Sequence, residues 1–293
     1  MRMGWKSKAA LILVAVLAVF GWRWTVDRLG TFNFLLPKDA DSRRVAADVA
    51  YAAGARHALD IYAPLTVKKN RPVIVFFYGG SWDSGYRQGY EFVGRALAAQ
   101  GFVVVVPDYR LVPNAQYPDF LRDCADAVRW THAHIAEYGG DGGKIVLAGH
   151  SAGAYNAAEI ALDPQWLGAD LAEVKGVVGL AGPYDFLPID GPATRAAFGA
   201  WPRLAETQPI NHVHKGAPPM LLLHGENDTL VSPKKSVTLA ARLTAAGSRA
   251  LTKFYPQVDH YDIITAFAWP LRTKAPVLID AARFAHDVTS AAE

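Results

Sequence analysis

An α/β architecture, a mainly parallel sheet with helices on both faces, is what this sequence of 293 residues predicts, and three observations carry it. Apolar runs at residues 73–77, 102–106, 144–148, 174–180 and 220–223 lack a polar face, as strands buried on both sides require. Segments rich in helix formers separate them, among them residues 90–100, 119–138 and 234–246. After the run at 144–148 stands Gly149-His150-Ser151-Ala152-Gly153, followed by a helix-like stretch. A serine flanked two positions away by glycines, between strand and helix, marks a sharp turn that bulky neighbours would obstruct.

Composition narrows the class. With 51% apolar and 19% charged residues the chain can bury a large core and shows no bias to disorder. The net charge of +3 is scattered with no basic run, so no nucleic-acid partner is expected. The single cysteine, Cys124, excludes an internal disulfide and falls at helical spacing with Leu121, Ala125 and Val128, as a small core residue would.

In chain order, Arg2, Lys6 and Lys8 precede an uncharged run at residues 9–22. Residues 1–30 therefore read as a signal anchor, attaching the protein to a membrane with its folded domain on the extracytoplasmic side. A cleaved signal peptide, giving a secreted or periplasmic protein, is the alternative. Residues 31–44 read as an irregular linker, and the domain spans 45–293. Its first strands, 45–51 and 57–62, pair antiparallel around Gly54, after which strands and helices alternate to a last strand at 250–255 and a last helix at 276–288. The segment around 183–217 breaks the alternation. Pro183, Pro188, Pro192, Pro202 and Pro209 forbid a long helix there, and its place between two strands suits a short lid.

A serine hydroxyl is a weak nucleophile that needs a base, usually a histidine held by a carboxylate. Behind this kind of turn the chain order is Ser, Asp or Glu, then His. Asp228 follows the apolar run at 220–223, where groups at strand carboxyl ends gather, and His260 follows the strand ending at residue 255. Glu226 and Asp259 are rival carboxylates. Among other histidines, His150 faces away from its neighbour's hydroxyl, His224 ends a strand as a packing residue, and His57 and His286 come too early and too late. The pairs His132/His134 and His212/His214 lack a second cluster with metal-ligand spacing. The developing oxyanion needs N–H donors, and Gly79, Gly80 and Ser81, in the turn Tyr78-Gly-Gly-Ser-Trp82, together with Ala152, are the candidates. Trp82, Phe186 and Trp201 are candidates for the pocket wall.

These residues resemble the α/β-hydrolase fold and, within it, the carboxylesterases that include hormone-sensitive-lipase-like and feruloyl-esterase-like enzymes. The resemblance spans about residues 59–285. It rests on Tyr78-Gly-Gly-Ser-Trp82 in place of the family's His-Gly-Gly motif, on Asp108-Tyr-Arg-Leu-Val-Pro113, on the Gly-His-Ser-Ala-Gly turn and on His224-Gly-x-x-Asp228. It implies a Ser151, His260 and Asp228 triad, hydrolysis of small-molecule esters with small or medium acyl groups, and no metal or organic cofactor. Tyr78 stands where histidine is usual, and Ser81 for a third glycine. Asp108 and Arg110 read as a charge pair holding a loop. Amide chemistry, as in an arylformamidase or small peptidase, is the rival activity because the same triad cleaves such bonds. A non-enzymatic binding protein of this fold would lack a triad member, and none is lacking here.

Overall fold

A computed structural model describes residues 21–290; past a helical stretch at 21–26 come helix α1 (Arg28–Leu35) and the strands β1 (Ser42–Ala50), β2 (Ala58–Pro64) and β3 (Arg71–Phe77). There follow α2 (Glu91–Ala99), β4 (Val103–Pro107), α3 (Asp119–His134), β5 (Gly140–His150), α4 (Ala152–Leu162), the short α5 (Pro164–Leu167) and β6 (Val174–Leu180). After α6 (Pro192–Phe198) come β7 (Met220–Gly225), α7 (Lys234–Ala245), β8 (Ala250–Tyr255), α8 (Asp262–Thr265) and α9 (Val277–Ser290).

One eight-stranded sheet results, ordered β1-β2-β4-β3-β5-β6-β7-β8. The pairs β1/β2 and β2/β4 are antiparallel and the other pairs parallel, the arrangement that buried apolar strands alternating with helices dictate. Every residue of β4 and of β7 is buried. Parallel strands run from β3 to β8, so their carboxyl ends lie along one edge, and there β5, β7 and β8 deliver Ser151, Asp228 and His260 to a common place.

The expected linker is not irregular. Part of it lies in α1 and part in β1, because residues on both sides find partners in the domain. Asp27 caps α1 by accepting from the Gly30 N–H at 2.8 Å, and Phe32 meets Phe92 edge to face at 5.5 Å. Asp39 receives two bonds from the Arg272 guanidinium, at 2.8 and 2.7 Å. Residues 1–20 of the expected anchor at 1–30 lie outside the described residues; among those described, no helix is long and apolar enough to cross a membrane.

Residues 183–217 form α6 and two 3-10 turns, Leu204–Thr207 and Pro209–His212, in keeping with their proline content. The segment rests on α3 and α4. Tyr117 donates its N–H to Ala197 O, Tyr155 donates its hydroxyl to Thr207 O, and Phe198 lies edge-on to both Trp82 and Tyr155.

Asp108 and Arg110 do not pair. Asp108 is buried and takes bonds from the Arg87 guanidinium, the Arg87 N–H and the Tyr78 hydroxyl, whereas Arg110 forks onto Asp123 on α3. A buried carboxylate needs several donors at once, and a single neighbour two residues away cannot supply them.

Candidate active site

The turn after β5 places Ser151 at φ 54° and ψ −121°, a conformation that L-residues rarely adopt. Two glycines make that possible. A Cβ on Gly153 would run into the backbone carbonyl of Phe77, and one on Gly149 into the carbonyl of Gly153. Ser151 accepts strain because its own N–H is held by Leu180 O at 2.8 Å and α4 starts immediately after it.

Ser151 Oγ lies 2.9 Å from His260 Nε2, and His260 Nδ1 lies 2.7 Å from Asp228 Oδ2. All three residues are buried, Ser151 at 9% exposure. Asp228 also accepts, on Oδ1, the N–H groups of Leu230 and Val231 at 2.9 and 2.8 Å. Burial alone would raise its carboxyl pKa, but hydrogen bonds from His224 and His260 and from the Val231 N–H outweigh burial and hold it well below the usual carboxylate range. Asp228 is therefore a fixed negative charge beside Nδ1. The rival carboxylates stand apart: Glu226 is exposed, and Asp259 is exposed and spends Oδ1 on the N–H groups of Tyr261 and Asp262.

His224 does more than pack. Its Nε2 lies 3.2 Å from the same Asp228 oxygen that His260 uses and 2.9 Å from Val231 O, while Nδ1 lies 2.8 Å from Ser236 Oγ. Two acceptors face Nε2, so Nε2 carries the proton and Nδ1 accepts from Ser236. A residue read from the sequence as strand packing thus steadies the carboxylate. Its motif position, four residues before Asp228, was visible; the contact depends on the turn after β7 folding back.

The turn after β3 reaches the serine. A Cβ on Gly79 would lie 2.9 Å from the His150 carbonyl and 3.0 Å from Ser151 Cβ, so only glycine lets the two turns meet. Gly80 (φ 129°), Ser81 (φ 52°) and Trp82 (φ 61°) all hold positive φ, and Gly80 O accepts from the N–H groups of Asp83 and Ser84. Ala152, the first residue of α4, lies beside the serine with its N–H at a helix N-terminus. Tyr78, in place of the usual histidine, anchors the turn from below. Its hydroxyl donates to Asp108 at 2.7 Å and receives Arg56 Nη2 at 2.6 Å, and its ring stacks between Tyr90 and Tyr109.

The proposed pocket residues divide. Trp82 is buried, donates its indole N–H to Asn156 Oδ1 at 3.0 Å and packs on Phe186 and Phe198. Trp201 lines a separate cavity of about 510 Å³ with Tyr117, Trp166 and Glu206, which none of Ser151, Asp228 or His260 borders. Cys124 is buried among core residues, and burial pushes its thiol pKa well up.

Comparison with known proteins follows the same lines. The family model described as BD-FAE matches residues 59–243. The chain is 30% identical over 285 residues to a probable isoprenylcysteine alpha-carbonyl methylesterase of Oryza sativa subsp. japonica, covering 88% of this chain and 66% of that protein. It is 34% identical over 200 residues to esterase LipC of Mycobacterium tuberculosis, covering 60% of this chain and 49% of that protein. The chain spans 66% and 61% of the length of two plant methylesterases that it matches. Among solved structures, esterase B from Lactobacillus rhamnosis superposes with a TM-score of 0.78 at 22% identity, over 94% of this chain and 96% of that one. Thermogutta terrifontis esterase 2, phosphoramylated by tabun, gives 0.69 at 25% identity over 86% and 96%.

Proposed function

The chain belongs to the BD-FAE family, within the α/β-hydrolase carboxylesterases, and from that membership we propose that it hydrolyses carboxylic esters by acyl transfer through Ser151, His260 and Asp228. The observation that carries the reading is the continuous line from Ser151 Oγ through both nitrogens of His260 to Asp228. His260 Nε2 accepts the serine proton as Oγ attacks the ester carbonyl, and the imidazolium formed is stabilised by the Asp228 charge at Nδ1. The tetrahedral oxyanion takes N–H donors from Ala152 and from the turn at Gly79, Gly80 and Ser81. His260 then returns the proton to the leaving alcohol, and water, activated by the same base, releases the acid. Besides the ester and water, the steps use groups of this chain.

Small or medium acyl groups fit a site whose nucleophile is 9% exposed and whose neighbouring Trp82, Phe186 and Phe198 already pack on one another. The segment at 183–217 is proposed as a cover for it. The run at 9–22 supports attachment to a membrane with the domain on the extracytoplasmic side; recovery of the mature protein in a soluble fraction, starting near residue 19, would overturn attachment.

The test is a panel of p-nitrophenyl acetate, butyrate and longer esters, an isoprenylcysteine methyl ester, N-formylkynurenine and aminoacyl amides, run with wild type and Ser151→Ala. The proposal requires the esters to be turned over and the variant to lose about a million-fold in kcat. Equal rates for the two proteins would exclude Ser151 as nucleophile, and a preference for the amides would exclude the esterase assignment.

A further inference from the structure

The far half of α4 carries a second cluster of charged groups, under the cover segment. Glu159 is fully buried, and among the described residues neither of its carboxylate oxygens has a hydrogen-bond partner. Burial, and then the charge of Asp163, pushes its pKa well above the usual carboxylate range. Its Oε1 lies 3.3 Å from Nε2 of His212, in the turn Pro209–His212, and Asp163 Oδ2 lies 3.6 Å from His212 Nδ1. One ligand atom from each of the three residues lies within 4.8 Å of the other two.

The imidazole's tautomer sharpens this. His212 Nε2 sits 2.8 Å from Glu206 O, and a carbonyl can only accept, so Nε2 carries a proton. In the neutral imidazole that leaves the Nδ1 lone pair opposite the Asp163 carboxylate, two acceptors that a cation would bring together. A carbonyl holding the far nitrogen is also how metal-binding histidines are oriented. The 3.6 Å separation is near the ~3.3 Å expected between ligands each about 2.0–2.1 Å from a tetrahedral zinc ion. Asp163 is steadied in turn by Gln165, whose N–H and side-chain amide both donate to it.

We propose that Glu159, Asp163 and His212 bind a divalent transition-metal cation of the zinc type, which fastens the 183–217 segment to α4. The ion is structural. Glu159 stands eight residues along the helix from Ser151, about 12 Å at 1.5 Å per residue, too far to touch the reacting atoms. The partner histidine in the sequence, His214, stands outside the cluster; it is half-buried and its Nδ1 faces Lys215 O. The two acids come instead from one face of α4 and its end, four residues apart.

The full chain, purified with a tag free of histidine, is dialysed with Zn²⁺ and then against metal-free buffer, and its metal content and thermal unfolding are measured. Wild type should retain about one Zn²⁺ per chain. At hundredfold excess over Kd its Tm should exceed that of the chelator-treated protein by roughly 5–10 °C. Glu159→Gln and His212→Asn should each lose both effects, and His214→Asn should keep both. His212 is in a partly exposed turn, so its variant, checked by circular dichroism, serves if the Glu159 variant fails to fold. Retention of no Zn²⁺ by wild type overturns the site, as does equal retention by His212→Asn, which would mean adventitious binding. A Tm that responds to pH and not to metal also overturns it, because a protonated imidazole would then be the cation between the two carboxylates.

Discussion

His150 Nε2 lies 2.9 Å from the backbone carbonyl oxygen of His260, so the residue before Ser151 holds the loop that carries His260. Its other nitrogen is buried close against Gly79, with no hydrogen-bond partner among the described residues. One ring thus stands between the His260 loop and the turn at Gly79. His150→Gln should loosen the His260 loop and lower kcat by about 10–100-fold, as loss of one buried hydrogen bond of ~1–3 kcal/mol would, with KM nearly unchanged. Unchanged kcat in steady-state kinetics would show that the loop is held otherwise.

The same ring responds to acid. Burial, and then the neighbouring His260, pushes the His150 pKa down to about 3, against about 6.5 in the unfolded chain. A group whose folded value is depressed contributes stability above its unfolded pKa and loses it as pH falls toward the folded one. Stability should therefore drop from about pH 6.5 downward, and His150→Gln should lose less over that range. Thermal melts of both proteins across that range check it; parallel curves would remove His150 as the cause.

His224 shares the Asp228 oxygen that His260 uses. His224→Ala leaves that buried carboxylate one donor short, and kcat should fall by about 10–100-fold, far less than for His260→Ala. A rate equal to wild type would return His224 to a packing role.

Gly153→Ala places a Cβ against the carbonyl oxygens of Phe77 and Tyr78, backbone atoms that cannot rotate away. A loss of about 3 kcal/mol is expected, read as a lowered urea midpoint.

Arg87 is buried and bonds Asp60 at 2.9 Å as well as Asp108 and Asp48. Arg87→Met should cost about 3–5 kcal/mol, because Asp60 and Asp108 stay buried with that cation gone. Denaturant unfolding measures it; a change within about 0.5 kcal/mol would mean that the carboxylates are neutralised elsewhere.

The sequence by itself determined the alternation of buried strands and helices, the strained turn at Ser151 and the order of serine, aspartate and histidine. Each is written in local spacing: apolar runs have no polar face, and glycines at 149 and 153 are demanded by backbone atoms a few residues away or on the adjoining strand. Tertiary structure alone decided which groups separated in sequence share one oxygen, one proton or one charge. Asp108 found Arg87 rather than Arg110, His224 reached Asp228 through the turn after β7, and the Tyr78 hydroxyl met Asp108 and Arg56. Glu159 and Asp163 met His212 only because the proline-rich segment folds back on α4. A buried charge or hydroxyl must be satisfied in three dimensions by whatever donor arrives, and the spacing of residues along the chain does not record those arrivals.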